Sequence, residues 1–410
     1  MDFDDTPDQS RFRDEVRAFL VDHHDDLAHG DGSNLEEPGV DRVELLRHTQ
    51  AVLYDGGLIG YTWPPEYGGG GGDNAKQAVI NEELHRARIS GPIGHVGLGM
   101  CGPTVLAHGS EDQKERYIRR LLRADDMWCQ LFSEPGSGSD LAAVRTRAVL
   151  QEDGWHIQGQ KVWTTLAQYC RYGILLARTN PDASRHRGLT MFVIDMHAPG
   201  VTVRPLRQMN GHTSFNEVFL DDVVIADSER LGAVDDGWRV ALTTLMNERM
   251  AIGGGGGELG VRSDALVAHA ADRLPHLDET QRVLAVEALG RVLVESLAAR
   301  YTGYRLQTRI EKDGRPGPEA SAGKLTAVKI AHATADLGVR LLGDDAVLAR
   351  SRDGDWRWAS SQASTPGIAL AGGTDEILRN ILGERVLGLP SDSARTPARS
   401  TPATTATDKR

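Results

Sequence analysis

The spacing of apolar side chains divides the chain into three blocks. In the first, Phe12, Val16, Phe19 and Leu20 recur at helical intervals and line one face of an amphipathic helix. Val43, Leu46 and Leu53 begin a second such face. Ser110-Glu-Asp-Gln113 is a capping box, in which each end satisfies a free backbone N–H of the other. Tyr117, Ile118, Leu121 and Leu122 follow it at helical spacing. Between these helices, Trp63-Pro-Pro-Glu-Tyr-Gly68 and the glycines to Gly72 predict a loop, since Pro and Gly both break regular structure. From Trp128 to Gly232 the period changes. Trp155-His-Ile-Gln-Gly159 alternates apolar and polar residues, and 172–177, 190–194 and 218–220 are short apolar runs between turn residues. Such strands predict a small barrel-like β-domain. The helical period returns at Gly237-Trp238 and persists to about Leu389. The fold class expected is α+β: an N-terminal helical domain (1–127), a central β-domain (128–232) and a C-terminal helical bundle (233–390).

Two segments stand outside this scheme. Residues 391–410 are almost all Ser, Thr, Ala, Pro and charged side chains, which predicts a disordered tail. Residues 253–257 are all glycine inside an otherwise helical stretch. Each interior glycine costs a helix about 0.8–1.0 kcal/mol relative to alanine, so the run should interrupt or widen the helix.

Composition narrows the class of protein without giving a function. The 410 residues exceed one compact core, and 40% hydrophobic with 25% charged residues is an ordinary globular balance. The net charge of −12 argues against a nucleic-acid partner, which needs a basic footprint. Cys101, Cys129 and Cys170 show neither disulfide nor metal-ligand spacing, and read as small buried residues in a reducing compartment. There is no apolar run of the ~18 residues a membrane span needs, and no signal-peptide pattern, so a cytoplasmic location is expected.

The chemistry is concentrated in Trp128-Cys-Gln-Leu-Phe-Ser-Glu-Pro-Gly-Ser-Gly-Ser-Asp140. A strand leads into Ser133-Glu-Pro135, and the Gly136-Ser-Gly-Ser139 turn then offers backbone amides and two hydroxyls to an anion or a polar ring edge. Downstream lies Gly159-Gln-Lys-Val-Trp-Thr-Thr165. In this order and spacing, the two segments resemble the flavin-binding signature of the acyl-CoA dehydrogenases. Further landmarks agree: Phe12-Arg-Asp-Glu-Val-Arg-Ala-Phe19, Trp63-Pro-Pro-Glu-Tyr-Gly-Gly69, Gly109-Ser-Glu-Asp-Gln-Lys114, Arg207-Gln-Met-Asn-Gly211, Phe215-Asn-Glu-Val-Phe-Leu-Asp-Asp-Val223, Gly372-Gly-Thr-Asp-Glu-Ile-Leu-Arg-Asn380 and Glu384-Arg-Val-Leu-Gly-Leu-Pro390. The resemblance runs from about residue 8 to 390.

The resemblance implies FAD as cofactor and an acyl-CoA as substrate, with electrons passed to an electron-transfer flavoprotein. It implies that Gln130, Leu131, Phe132 and Ser133 line the pyrimidine edge of the flavin and that Trp163 packs beside the isoalloxazine. The Thr165 hydroxyl would reach flavin N5, and Gly138, Ser139, Thr374 and Glu376 would complete the cofactor contacts. Ser139, Arg249 and Gly372 are the implied substrate contacts. The family's reaction needs a carboxylate to remove the substrate's α-proton, usually placed directly before a Gly-Thr pair near the C-terminus. Gly372 occupies that position here and cannot act as a base. A minority of the family carries the base on an earlier helix, in a segment resembling Leu245-Met-Asn-Glu-Arg249, which makes Glu248 the catalytic candidate. On residues alone, Asn-Glu-Arg on a helix also reads as a solvated face with a structural ion pair.

Two further departures bear on assembly. Many members carry an Arg-x-x-Phe-Gly motif through which a neighbouring subunit grips FAD. The corresponding stretch reads Asp272-Arg-Leu-Pro-His-Leu-Asp278, and the downstream Gly-Gly turn has become Leu342-Gly-Asp-Asp345. Hetero-oligomeric members acting on bulky acyl-CoAs, including sterol side chains, resemble the chain in both respects. A homo- or hetero-oligomer, dimer or tetramer, is therefore expected. The alternatives are a partner subunit with an incomplete site of its own, and a flavin oxidase or monooxygenase on the same fold.

Overall fold

A computed structural model describes residues 5–30, 40–253, 259–313, 317–345 and 356–390. The expected tail at 391–410 and most of the glycine run lie outside these residues. The first block folds as helices α1 (Pro7–Asp22), α2 (Val40–Asp55), α3 (Asn74–Arg86), α4 (Gly102–His108) and α5 (Glu111–Leu122). A π-helical turn, Gly97–Cys101, leads into α4. The apolar faces read from the sequence are the buried ones: Val16 and Leu20 on α1, Val43 and Leu53 on α2. The capping box of α5 forms as expected, with Gln113 N–H donating to Ser110 Oγ and Ser110 N–H to Gln113 Oε1.

Between α1 and α3 sits an ion cluster that the pattern did not announce. Glu83 is 1% exposed and accepts from Arg13 at 2.8 Å, Arg17 at 2.9 Å and Arg86 at 2.8 Å. Burial alone would raise its pKa, but the guanidinium groups of Arg17, Arg13 and Arg86 outweigh it and hold the carboxyl below its usual range. A group with a depressed folded pKa stabilises above its unfolded pKa and loses that contribution as pH falls through the folded one. Glu83→Gln should therefore destabilise the chain at neutral pH by roughly 2–4 kcal/mol. In denaturant melts the gap to wild type should shrink below about pH 4; a gap that stays constant with pH would contradict the ion-pair account.

The middle block supplies strands β1 (Trp128–Leu131), β2 (Arg147–Gln151), β3 (Gly154–Thr165), β4 (Tyr172–Arg178), β5 (Leu189–Asp195), β6 (Val201–Leu206), β7 (Phe215–Ile225) and β8 (Arg230–Leu231). They form one sheet in the order β6-β7-β3-β2-β4-β5-β8, with β1 added parallel to β4. Alternation along β4 and β5 explains their unbroken apolar runs. Ile174, Leu176, Met191 and Val193 face the core shared with the N-terminal helices. Leu175, Ala177, Phe192 and Ile194 face a second core that also holds Trp155 and Val218. Both faces are covered, so both must be apolar. All three cysteines are buried and unpaired, as their spacing suggested.

The third block comprises α6 (Gly237–Gly253), α7 (Ser263–Arg273), α8 (Glu279–Asp313), α9 (Ala320–Leu342), α10 (Trp356–Leu370) and α11 (Asp375–Ile381). Helix α9 is central and packs against each of the others. At Gly338 the α10 indole of Trp358 comes so close that an added Cβ would lie 2.0 Å from the ring, so only glycine lets the two helices meet. Among the described residues no helix is long and apolar enough to cross a membrane.

Candidate active site

The flavin-type segment begins on β1. Leu131 and Phe132 bury their side chains in the two cores, at 0% and 4% exposure, so only their backbone can serve a ligand. Beyond them the chain turns back: Glu134 N–H donates to Ser137 O at 2.8 Å and Ser137 N–H to Glu134 O at 3.0 Å. Here the structure corrects the sequence reading. Ser137 is buried, and its hydroxyl donates to Asp140 O at 2.6 Å, closing the turn from inside. Only Ser139 presents a hydroxyl outward. Gly136 and Gly138 border open space, since an added Cβ at either would meet nothing within 4 Å.

The second motif docks directly onto the first. Val162 N–H on β3 donates to Ser133 O at 2.9 Å. The fully buried Lys161 ammonium donates to Phe132 O at 3.0 Å and to Glu134 Oε1 at 2.9 Å. Glu134 also accepts from the backbone N–H groups of Arg145 at 2.7 Å and Thr146 at 2.8 Å. Burial pushes Lys161 down to about 8, while Glu134 resists it and holds the ammonium charged at neutral pH. Lys161 and Glu134 were not singled out from sequence. The available signal was a lysine in an alternating strand at a position that should face the core.

Immediately after Lys161 the β3–β7 register shifts. In this bulge Trp163 takes φ 62° and stands 60% exposed, its ring edge-on to Phe215 at 5.9 Å. A large residue in the left-handed region is strained by roughly 1–3 kcal/mol, and such strain persists where the surroundings impose it. The bulge aims the indole out of the sheet, one residue beyond the Val162 bond that joins β3 to the 133–139 turn. Thr165 follows, half-buried and paired with Phe215.

Glu248 approaches from α6. Gln130 Nε2 donates to Glu248 Oε2 at 3.4 Å, and the backbone of Gly372 lies near enough to act on the charge of the same carboxylate. The carboxyl pKa is raised: burial dominates, against the opposing pull of Gln130, the Gly372 amide, Arg249 and Lys324. Burial lowers the pKa of the adjacent Arg249, and its Nε is sealed from solvent with no hydrogen-bond partner among the described residues. Gly372 and Gly373 take φ 66° and 96°, backbone that a glutamate at 372 would enter only with strain. The position vacant of a base thus lies close enough to the relocated carboxylate to act on its charge.

The remaining candidates stand on the following helix. Thr374 N-caps α11, accepting from Ile377 N–H at 3.4 Å, and Glu376 lies exposed in its first turn. No hydrogen bond joins either to the 130–139 segment among the described residues.

Three family models match in sequence along the chain: the acyl-CoA dehydrogenase N-terminal domain over 6–125, the middle domain over 129–223 and the C-terminal domain over 235–387. The chain is 34% identical to the acyl-CoA dehydrogenase IpdE1 of Mycobacterium tuberculosis, over 94% of its own length and 99% of the relative's. It is 40% identical to the acyl-CoA dehydrogenase FadE34 of the same organism, over 83% of its own length but 46% of that larger protein, so it spans about half of FadE34. Among solved structures it superposes on the Tcur3481-Tcur3483 steroid ACAD with TM-score 0.78, 27% identity and 95% and 100% of the two chains covered. On the ChsE4-ChsE5 complex from Mycobacterium tuberculosis the figures are 0.77, 26%, 95% and 100%. The chain belongs to the acyl-CoA dehydrogenase family, whose α+β architecture it has.

Members of this family bind FAD, and the residues present fit that group. The outward Trp163 face, the open space over Gly136 and Gly138, and the buried Gln130 Oε1, which has no partner among the described residues, together suit a flat, polar-edged ring. The residues that would hold it are Gln130, the Leu131–Ser133 backbone, Gly138, Ser139, Trp163 and Thr165.

Proposed function

We propose that the chain catalyses α,β-dehydrogenation of an acyl-CoA thioester to the trans-2-enoyl-CoA, with Glu248 as the base and electrons passed on to an electron-transfer flavoprotein. The observation that carries this reading is the hydrogen bond from Gln130 of the flavin segment to Glu248, with the Gly372 backbone acting on the same carboxylate. FAD, when bound, supplies the two-electron acceptor that dehydrogenation requires. The chain's own residues manage the proton. A thioester carbonyl entering the site competes with Glu248 for the Gly372 N–H. Donation to that oxygen acidifies the α-carbon and at the same moment draws the amide's stabilising influence away from the carboxylate. Arg249, with its unpartnered Nε, offers a further donor to the substrate, and Ser139 offers its outward hydroxyl.

Because the base works only when ionised, its raised pKa fixes the sign of the pH dependence. Anaerobic flavin bleaching by acyl-CoA should fall on acidification with a midpoint above that of an ordinary glutamate. A rate independent of pH from 5 to 8, or a midpoint at the ordinary value, would count against Glu248.

We infer further that the chain works in an oligomer on a bulky, sterol-derived acyl group. Arg273, in the stretch that departs from the family's FAD-gripping motif, pairs with Asp345 of the altered downstream turn at 3.2 Å, so the two departures neutralise each other. Helix α8 exposes Val283, Val286, Val294, Leu297 and Tyr301 along one stripe at helical i+3/i+4 spacing, with Gly290 open between them. Two of the structural neighbours bear names of paired chains, one of them a steroid enzyme. A screen of acyl-CoAs from short straight chains to sterol-derived ones, with bleaching as readout, tests the substrate class. The sterol-derived thioester should be preferred, and a preference for short straight chains would overturn this assignment.

A further inference from the structure

Among the described residues, Lys324 is a fully buried cation near the site for which the family reaction offers no task. Its side chain is 0% exposed on α9, and the carboxylate it pairs with, Asp375, stands at the outer limit of hydrogen-bond distance. The ammonium donates to Ala369 O at 3.0 Å and Gly373 O at 3.1 Å, with Asp375 Oδ1 more distant at 3.5 Å. These three acceptors bracket the chain from the end of α10 to the start of α11, and Gly372 lies between them. Two consecutive left-handed glycines need such a clamp, because nothing in their own conformational preference holds them there.

We propose that Lys324 is a positioning residue for the reaction: by pinning the 369–375 turn, it holds the Gly372 amide against Glu248 and places a fixed positive charge behind the base. The inference rests on the assignment of Glu248 as the base. Charged and titratable groups face this carboxylate from every side. Arg249 adjoins it on α6, Cys101 approaches from the π-helical turn, and Lys324 comes from α9 with Asp375 and Glu376 of α11 beyond it. Arg385 acts on Arg249 from the C-terminal side. Among these, Lys324 alone combines complete burial with direct bonds to the turn that carries Gly372. Its charge favours the ionised base, offsetting part of the burial that opposes it.

Lys324→Met removes both clamp and charge, whereas Lys324→Gln keeps an N–H donor for the two carbonyls and removes only the charge. In FAD-loaded protein, both variants should move the midpoint of the pH–bleaching profile upward by roughly 0.5–1 unit. Lys324→Met should also lower kcat about tenfold with little change in KM, because the amide matters most once charge develops on the thioester oxygen. A second readout needs no substrate: the infrared carboxyl band that disappears in Glu248→Gln should titrate at higher pH in both variants. A merely structural lysine would lower stability and rate without moving either midpoint, and unmoved midpoints overturn the proposal. Should Lys324→Met not fold, Lys324→Gln carries the test alone. Glu248→Gln measured alongside separates the two claims. Wild-type bleaching by that variant defeats the base assignment itself, whereas an inactive Glu248→Gln with unmoved Lys324 midpoints defeats only the role given to Lys324.

Discussion

Glu248→Gln should lower the rate of anaerobic flavin bleaching by acyl-CoA about 10³-fold, equivalent to roughly 4 kcal/mol of transition-state stabilisation. The substitution is close to isosteric. The new amide oxygen can still accept from Gln130 Nε2 and stay beside the Gly372 backbone, so the turn and the flavin segment keep their places. What is lost is the lone pair basic enough to take a proton. FAD content and melting temperature should match wild type, and the affinity for acyl-CoA should change little. A fall of less than tenfold would place the base elsewhere.

Lys161→Met should be the most disruptive substitution for the cofactor half of the site. It leaves Glu134 buried with two backbone donors and no countercharge. Breaking such a pair by removing one partner costs about 3–5 kcal/mol, far more than the pair itself contributes. The damage is local before it is global, because the same ammonium bonds Phe132 O and so fastens β1 to the strand that presents Trp163. FAD should be retained poorly, read as the ratio of visible to ultraviolet absorbance after gel filtration, and the melting temperature should fall. The double variant Lys161→Met/Glu134→Gln should recover part of the stability, since both charges are then gone. Full flavin retention by Lys161→Met alone would show that the buried pair does not hold the turn.

How much of this was legible beforehand follows from which contacts are local. The capping box at Ser110, the short apolar runs of β4 and β5 and the amphipathic faces of α1 and α2 are set by neighbours in sequence, and the chain folds as they indicate. The α+β class and the family followed from motifs whose order and spacing survive reading as text. The Ser137 hydroxyl was misread because a Gly-Ser turn looks the same whether its hydroxyl points out or caps its own backbone. The outward turn of Trp163 depends on a register shift between β3 and β7, which no local pattern records. Lys161, Glu134, Lys324 and the Glu248–Gly372 contact join segments far apart in the chain. A lysine at a core-facing strand or helix position was the only sign of the two cations, and it is a weak one, since most lysines stand in solvent.

Proton abstraction by Glu248 can be isolated from every later step with a 3-thiaacyl-CoA, which can lose its α-proton but has sulfur where the β C–H would be. Incubated in D₂O with FAD-loaded protein, wild type should exchange the α-hydrogens for deuterium, seen by mass spectrometry of the recovered thioester. Glu248→Gln of equal flavin content should leave the mass unchanged over the same period. Deuterium uptake by Glu248→Gln at the wild-type rate would contradict the account, because the α-proton would then have left without the carboxylate that stands against Gly372.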